Sequence, residues 1–192
     1  GVFDWTCFPN INDRYKKYET NTWGIVQIRK KGIRDFGATL SPDSANLIML
    51  GMETLFLRME KISENAMKLA TFLSSLKEVK AVYYPGLSNH PQHNIAKRLF
   101  KRFSGLMSFE LHSWVDMAEF LDGLDVFACS SNLGDNRSLM IPVAQTIFYE
   151  VGVDERVKME ISESLIRLSV GIEDIDDLCE DILSSIKKLD YI

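Results

Sequence analysis

The sequence predicts an α/β fold in which a long helix is followed by a small mixed sheet with helices on one face. Apolar residues recur at helical spacing over residues 45–73. Short segments rich in β-branched and aromatic residues follow, and short helical patterns lie between them. A last amphipathic pattern at residues 174–188 predicts a closing helix. Because a small sheet needs a layer of helices to bury its apolar face, this order of elements predicts one such layer.

Composition and charge exclude several functional classes. Of the 192 residues, 46% are apolar and 26% are charged, which is typical of a globular protein. The net charge of −5 disfavours nucleic acid as a partner, because binding to phosphates needs a basic surface. No apolar run reaches the roughly 18 residues of a membrane helix. The wide spacing of Cys7, Cys129 and Cys179 disfavours a disulfide framework or a zinc site, so we expect a reducing, cytoplasmic location.

Residues 1–40 show little periodicity and carry aromatic residues among polar ones. We expect an irregular strap that packs on another part of the protein. The chain begins with Gly1 rather than methionine, and its opening resembles the inside of a folded domain, so we expect that a further segment preceded it. The aromatic residues of the strap are Phe3, Trp5, Phe8, Tyr15, Tyr18 and Trp23.

The first strong helical signal begins at Ser41 and Pro42. Serine caps helix N-termini, and proline suits the first helical position. The apolar stripe that follows predicts one long helix, or two with a bend, ending near Ser74. Three of the eight methionines lie in this stripe, which favours core packing over a soft binding groove. The stripe comprises Ala45, Ile48, Met49, Met52, Leu55, Phe56, Met59, Ile62, Ala66, Leu69, Ala70 and Leu73.

The remaining elements alternate between strands and short helices. Polarity alternates in the second strand and places Met107, Phe109 and Leu111 on one face. The closing helix has acidic residues in its first turn and basic residues in its last, which suits the helix dipole. The predicted strands cover residues 79–83, 106–111, 126–129, 139–143 and 165–170, and the predicted helices cover residues 94–102, 115–121 and 174–188.

Arg167 is the first candidate for a binding residue. It lies in a strand where Ile166 and Leu168 face one side and Arg167 faces the other. An unpaired buried charge is costly in free energy, so a guanidinium on a mostly apolar strand needs a partner. Its planar fork matches a carboxylate through two parallel hydrogen bonds. The alternative is an arginine on the solvated face of an edge strand, and spacing alone favours this alternative.

A polar loop at residues 130–135 follows a predicted strand. Its backbone amides and the side chain of Asn132 are suited to binding an anion, and a strand-ending turn is the alternative. His90 and His93 have a proline between them and no further ligand of suitable spacing, so we predict a helix start there and no metal site. Cys129, beside the loop, is predicted to be a small core residue.

Four segments, taken in order, resemble the Cys/Met-metabolism enzymes that depend on pyridoxal phosphate (PLP). Residues 34–66 are similar to that family's interdomain helix region, and residues 82–93 to the strand and loop that follow it. Residues 132–139, which begin Asn-Leu-Gly-Asp, are similar to its substrate-carboxylate loop. Residues 165–174, Leu-Ile-Arg-Leu-Ser-Val-Gly-Ile-Glu-Asp, are close to its C-terminal signature. The resemblance covers nearly the whole chain.

The resemblance implies that the chain is the C-terminal part of a fold-type I PLP enzyme. Residues 1–40 would be the end of the large PLP-binding domain, and residues 41–192 the α+β C-terminal domain. Arg167 and Asn132 would bind the α-carboxylate of a small amino-acid substrate. The family's PLP-binding lysine would lie before Gly1, so the resemblance places no catalytic and no cofactor-binding residue in this chain. The complete enzyme is expected to be a homotetramer.

Within the family, Asn132 and the opening Gly-Val-Phe-Asp-Trp segment resemble the O-acetylhomoserine sulfhydrylases. This implies a transferase that replaces a γ-acetoxy group with a sulfur nucleophile in methionine biosynthesis. A methionine γ-lyase, a cystathionine γ-synthase and a non-catalytic isolated C-terminal module are the alternatives. Residues 142–148 depart from the family pattern because they lack its two histidines, which leaves the sulfur donor and the leaving group open.

Overall fold

The computed structural model describes Cys7, Pro9 and residues 17–189. The chain divides into two units between Met52 and Glu53. The described part of the first unit is helical, and the second unit contains a five-stranded sheet. The predicted domains, 1–40 and 41–192, refer to a longer protein, and that assignment stays a prediction.

The first unit contains a series of short helical segments. A 3-10 turn at Thr20–Thr22 leads into helix α1 at Trp23–Gln27. A π-helical segment at Ile28–Ile33 continues into the short helix α2 at Arg34–Phe36. Helix α3, Pro42–Glu53, comes next and reaches the boundary between the two units.

The prediction of an irregular strap is wrong for residues 20–36. No proline lies between Pro9 and Pro42, so local backbone hydrogen bonding can continue even where the side chains have no helical periodicity. The helical segment ends at Gly37, which adopts the left-handed conformation (φ 66°) and donates its N–H to the carbonyl of Ile33 at 2.8 Å. The aromatic residues Phe3, Trp5, Phe8 and Tyr15 lie outside the described residues.

The next helix begins where the sequence predicts. Pro42 is its first residue, and the N–H of Ser44 donates to Ser41 Oγ at 3.2 Å, which is the predicted serine cap. Of the two predicted alternatives, two helices are correct, because Thr54 separates α3 from helix α4. Helix α4 spans Leu55–Leu73 and ends at Ser74 as predicted.

Only the C-terminal half of the predicted apolar stripe is buried. Ile62, Ala66, Leu69, Ala70 and Leu73 of α4 are core residues. The three methionines of the stripe, Met49, Met52 and Met59, are all exposed. The prediction that they pack in the core is therefore wrong. Helical spacing shows that a face is apolar, but it does not show how much of that face the rest of the chain covers.

The second unit is built on a five-stranded mixed sheet, with strand order β1-β2-β5-β4-β3. The pairs β1–β2, β2–β5 and β5–β4 are antiparallel, and β3–β4 is parallel. The predicted strands are therefore confirmed, with β3 shorter than expected. The strands are β1 Val79–Tyr83, β2 Leu106–Leu111, β3 Ala128–Cys129, β4 Leu139–Pro142 and β5 Leu165–Ser169.

Helices α4, α6 and α8 pack against one face of this sheet. Helix α6 spans Met117–Asp122, and the closing helix α8 spans Ile175–Lys188. Three residues of β2, Met107, Phe109 and Leu111, point into the core as predicted. A mixed sheet with helices on one face is thus confirmed. The core also includes Ala66, Leu69, Leu73, Phe120, Met140, Ile166, Leu168, Leu178 and Ile182.

The remaining helices are short. Helix α5, His93–Leu99, begins at the predicted helix start, and helix α7, Val153–Lys158, was not predicted. Asp174 caps α8 by accepting the N–H of Asp176 at 2.9 Å. Among the described residues, none of the helices combines the length and the apolar character needed to cross a bilayer.

We predict that the 192-residue chain associates with itself through the start of α4. Phe56 is 75% exposed and Leu57 is 66% exposed, and they are neighbours on an apolar surface that favours contact with other apolar groups. Phe56→Glu should therefore lower the average mass measured by light scattering. Tyr149, also 75% exposed, provides the matched control Tyr149→Glu, which should leave the mass unchanged. A parent chain that is monomeric and melts cooperatively would contradict the prediction.

Candidate functional site

Arg167 lies in the interior of the sheet. Strand β5 has β2 on one side and β4 on the other, and Arg167 pairs with Ser108 and Ile141. Its neighbours Ile166 and Leu168 are fully buried on the helix-covered face. Because side chains alternate along a strand, Arg167 points to the opposite face. The alternative of an edge strand is therefore wrong, and the arginine is half-buried rather than fully solvated.

The guanidinium of Arg167 has spare hydrogen-bonding capacity. Its Nη2 donates to the carbonyl oxygen of Ser131 at 2.8 Å. Within residues 17–189, no ion pair between Arg167 and a carboxylate is formed. A guanidinium has five N–H donors in a planar fork, so this contact leaves donors for a planar anion. The contact also fixes the direction in which the fork points.

The loop that carries Asn132 is attached to the strand that carries Arg167. Its Ser131 carbonyl accepts the bond from Arg167, and the N–H of Gly134 donates to Ser169 Oγ at 3.2 Å. Gly134 has a positive φ of 74°, which favours glycine at this position. Asn132 itself is exposed. The structure therefore brings the two residues predicted from the sequence to one place.

The other end of the same loop is held by residues to which sequence reasoning assigned no role. Both the N–H and the hydroxyl of Ser138 donate to the Glu173 carboxylate, at 2.5 and 2.9 Å. The side-chain amide of Asn65 donates to the carbonyl oxygens of Glu173 and Gly171, at 2.8 and 3.2 Å. Asn65 is a polar residue inside the apolar stripe of α4, which indicates a buried amide that needs partners.

An apolar groove of about 250 Å3 adjoins the loop. Its walls come from the end of β5, the start of β2 and one side of α4, and Gly134 lies on its border. The other lining residues are Met59, Ile62, Ser104, Gly105, Leu106, Leu133, Ser169 and Val170.

A second charged group lies on the same face of the sheet as Arg167. Glu110 of β2 is almost fully buried and accepts hydrogen bonds from Lys80 Nζ at 2.7 Å and Tyr83 Oη at 3.1 Å. Burial alone would raise the pKa of Glu110, but the hydrogen bonds from Lys80 and Tyr83 and the charge of Lys80 outweigh it and hold this pKa below its ordinary value.

Residues 142–148, which lack the two family histidines, comprise Pro142 at the end of β4 and the turns that follow it. Gln145 Nε2 donates to the carbonyl oxygen of Glu163 at 2.9 Å. The side chain of Arg156, 11% exposed, bonds to the Glu163 carboxylate at 2.6 Å and to the Val151 carbonyl at 2.7 Å. Glu163 therefore connects this turn to α7, through two partners from different parts of the chain.

Two further expectations concern metal and thiol chemistry. His93 is the first residue of α5, which agrees with the predicted helix start. Its Nδ1 lies 2.9 Å from the carbonyl oxygen of Pro85. Across the described part of the chain, no group of three metal-ligating residues occurs. The prediction that Cys129 is a core residue is wrong, because it is exposed on a two-residue edge strand that the helices leave uncovered.

The exposed lysines among the described residues do not fit the role of an anchor for PLP. A lysine that forms an imine at neutral pH needs a desolvated site or a lowered pKa. Every described lysine except Lys61 is exposed. The hydrogen bond with Glu64 raises the pKa of Lys68, and the hydrogen bond with Glu110 raises that of Lys80. Both shifts favour the ammonium form, which does not attack a carbonyl group.

Comparison with known proteins gives a consistent result. The model of the family described as Cys/Met metabolism PLP-dependent enzyme matches residues 11–187. O-acetyl-L-homoserine sulfhydrylase of Leptospira meyeri is 38% identical over 168 residues, 86% of this chain and 38% of the relative. L-methionine γ-lyase of Pseudomonas putida is 39% identical over 165 residues, 85% of this chain and 42% of the relative. The chain thus spans about two-fifths of these relatives' length.

A solved structure agrees with these matches. The crystal structure of a Campylobacter jejuni protein that is assigned as an O-acetylhomoserine (thiol)-lyase superposes with a TM-score of 0.78 and 38% sequence identity. The superposition covers 85% of this chain and 39% of that one. That structure carries a pyridoxyl-lysine-phosphate group.

We predict that Glu110 contributes to stability in a pH-dependent way. Because its folded-state pKa is lowered from 4.5, the contribution is present above about pH 4.5 and is lost as the pH falls through the folded value. Glu110→Gln should therefore lower the free energy of unfolding at neutral pH, and its difference from the parent should shrink on acidification. Urea melts at several pH values measure this. The exposed carboxylate of Glu150 provides the control Glu150→Gln, and identical pH profiles for the two variants would argue against the role.

Proposed function

The chain belongs to the Cys/Met metabolism PLP-dependent enzyme family, and from this premise we propose that it supplies the substrate-carboxylate site of such an enzyme. Arg167 binds the α-carboxylate of an amino-acid substrate, and Asn132 lies beside it. The observation that carries the proposal is the placement of Arg167: an interior strand holds it rigidly, its guanidinium is accessible, and its Nη2 touches the Asn132 loop.

The physical chemistry of the site suits a carboxylate. A guanidinium presents parallel N–H groups to the two carboxylate oxygens, and such charge-assisted bonds are stronger than neutral ones. In a partly desolvated cleft the pair is worth about 2–4 kcal/mol, which corresponds to roughly 30- to 1000-fold in affinity. The bond to Ser131 pre-orients the fork, so less conformational entropy is lost when the substrate binds.

The reaction we propose is replacement of the γ-acetoxy group of an amino acid by a sulfur nucleophile, as in the O-acetylhomoserine sulfhydrylases. When bound, PLP withdraws electrons from the substrate and stabilises negative charge on its carbon atoms. The residues of this chain bind and orient the substrate. Elimination of the γ-substituent is the second candidate. This chain is 39% identical to an L-methionine γ-lyase and 38% identical to a sulfhydrylase, so sequence identity does not separate the two reactions.

PLP itself is expected to be held by residues outside this sequence. The exposed lysines described above do not fit an imine-forming role, and the chain spans about two-fifths of its relatives' length. We therefore propose that residues 41–192 act as a C-terminal domain and residues 1–40 as the end of a PLP-binding domain, within a homotetramer of the complete enzyme.

We predict that Arg167→Ala lowers kcat/KM for the amino-acid substrate by about 30- to 1000-fold in the complete enzyme. The reason is that the substrate carboxylate loses its two hydrogen bonds from the guanidinium. Arg167→Lys should recover only part of this loss, since lysine keeps the charge without the bidentate geometry. The absorbance of the bound cofactor should not change in either variant. The exposed Arg98 of α5 provides the control Arg98→Ala. A kcat/KM within about twofold of the parent for Arg167→Ala would refute the carboxylate role.

We also predict that the 192-residue chain on its own forms no covalent adduct with PLP at stoichiometric yield. The reason is that every described lysine except Lys61 is exposed, and an exposed lysine lacks the desolvated site that favours a stable imine. Borohydride reduction after incubation with PLP, followed by peptide mass spectrometry, locates any trapped lysine. A single lysine trapped in full yield would disprove the prediction and would place the cofactor site in this chain. A complete, soluble protein of this length that binds no amino acid would favour the non-catalytic module.

A further inference from the structure

We infer that Glu173 and Ser138 are positioning residues for the carboxylate site, and this inference rests on the proposed function. They touch neither Arg167 nor Asn132. Instead they hold the end of the loop that carries Asn132, so their effect on substrate reaches it through the loop.

Ser138 and Glu173 are joined by two hydrogen bonds. Ser138 is fully buried, and the carboxylate of Glu173 accepts both of its donors, at 2.5 Å for the N–H and 2.9 Å for the hydroxyl. The hydroxyl oxygen of Ser138 in turn accepts the N–H of Gly171 at 2.9 Å. One carboxylate and one hydroxyl thus fix residues 136–138 against the turn that follows β5.

The backbone of Glu173 is held in turn by a side chain of α4. Asn65 of α4 is fully buried and donates to the carbonyl oxygens of Glu173 and Gly171. A Cβ at position 171 would overlap Asn136 O and Glu173 Oε2, so glycine is required for the two segments to approach this closely. The backbone segment that carries this carboxylate is therefore bonded to the helix behind it.

The loop bonded to Glu173 is also bonded to Arg167. The Asn132 loop, residues 130–138, is bonded to β5 through Ser131 and Gly134 and to the turn after β5 through Ser138. Arg167 and Glu173 therefore hold the same loop from two sides. Loss of the Ser138 attachment should let the loop move relative to the guanidinium, which weakens selection for a carboxylate without removing any group that touches it.

The test uses the complete holoenzyme and compares an amino-acid substrate with its carboxamide, which lacks the negative charge. Ser138→Ala and Glu173→Gln should each lower the ratio of kcat/KM for acid over amide by about tenfold, or about 1.4 kcal/mol. Because both act through one attachment, the double variant should lose little more than the worse single variant. The exposed residues Ser113 and Glu180 provide the matched controls Ser113→Ala and Glu180→Gln, which should keep the parent ratio.

Hydrogen exchange gives a second readout that does not depend on turnover. Amides in residues 131–138 should exchange faster in Ser138→Ala than in the parent, while β2 and α8 keep parent rates. Glu173→Gln, which keeps the side-chain volume, serves if Ser138→Ala does not fold.

The outcomes separate the inference from the proposal beneath it. Equal losses for acid and amide would mean a general structural role and would overturn the inference, as would unchanged exchange in residues 131–138. If Arg167→Ala lowers the ratio while Ser138→Ala and Glu173→Gln do not, the inference alone fails. If Arg167→Ala leaves the ratio unchanged, the proposed carboxylate role fails and the inference falls with it.

Discussion

The site depends on one constraint, which is that β5 must serve two opposite environments along the same few residues. On one face, Ile166 and Leu168 are fully buried beneath the helices. On the other face, Arg167 carries a charge and is half-buried, which leaves its guanidinium accessible as the proposed carboxylate site requires. Period-two alternation satisfies both needs, provided that the strand cannot shift by one residue, since such a shift would bury the guanidinium and expose the core residues. Pairing with β2 and β4 on both sides fixes that register.

Buried polar groups extend this control from the strand to the loop beside it. Asn65 and Ser138, which are buried, and Glu173, which is half-buried, come from three separate parts of the chain. A buried donor left without its partner costs about 1–3 kcal/mol, and the side-chain N–H groups of Asn65 and both donors of Ser138 have partners here. Their partners are provided only when α4, β4 and the turn after β5 are all in place. The network therefore favours one arrangement of the loop over the alternatives that apolar packing alone would tolerate.

Period-two and helical patterns explain what could be predicted from the sequence. The strands and the closing helix follow from local alternation, and the second strand's inward face, Phe109 included, follows with them. Burial at the start of α4 and at Cys129 could not be predicted, because local spacing does not reveal which apolar surfaces other elements cover. The bond from Asn65 to Glu173 joins residues 108 positions apart, and no local pattern contains such information.

Arg167 cannot by itself decide between replacement and elimination. Every amino-acid substrate carries an α-carboxylate, so the proposed site would be equally useful to both reactions. Selection must depend on groups closer to the γ-carbon and the sulfur. The turns at residues 143–148 begin two residues after Ile141, the neighbour of Arg167, or about 7 Å further along the chain. They lack the histidines of the family pattern, and Glu163 holds them through Gln145. In the proposed site, the chemistry could therefore vary at one end of β4 while the loop at the other end keeps its place beside Arg167.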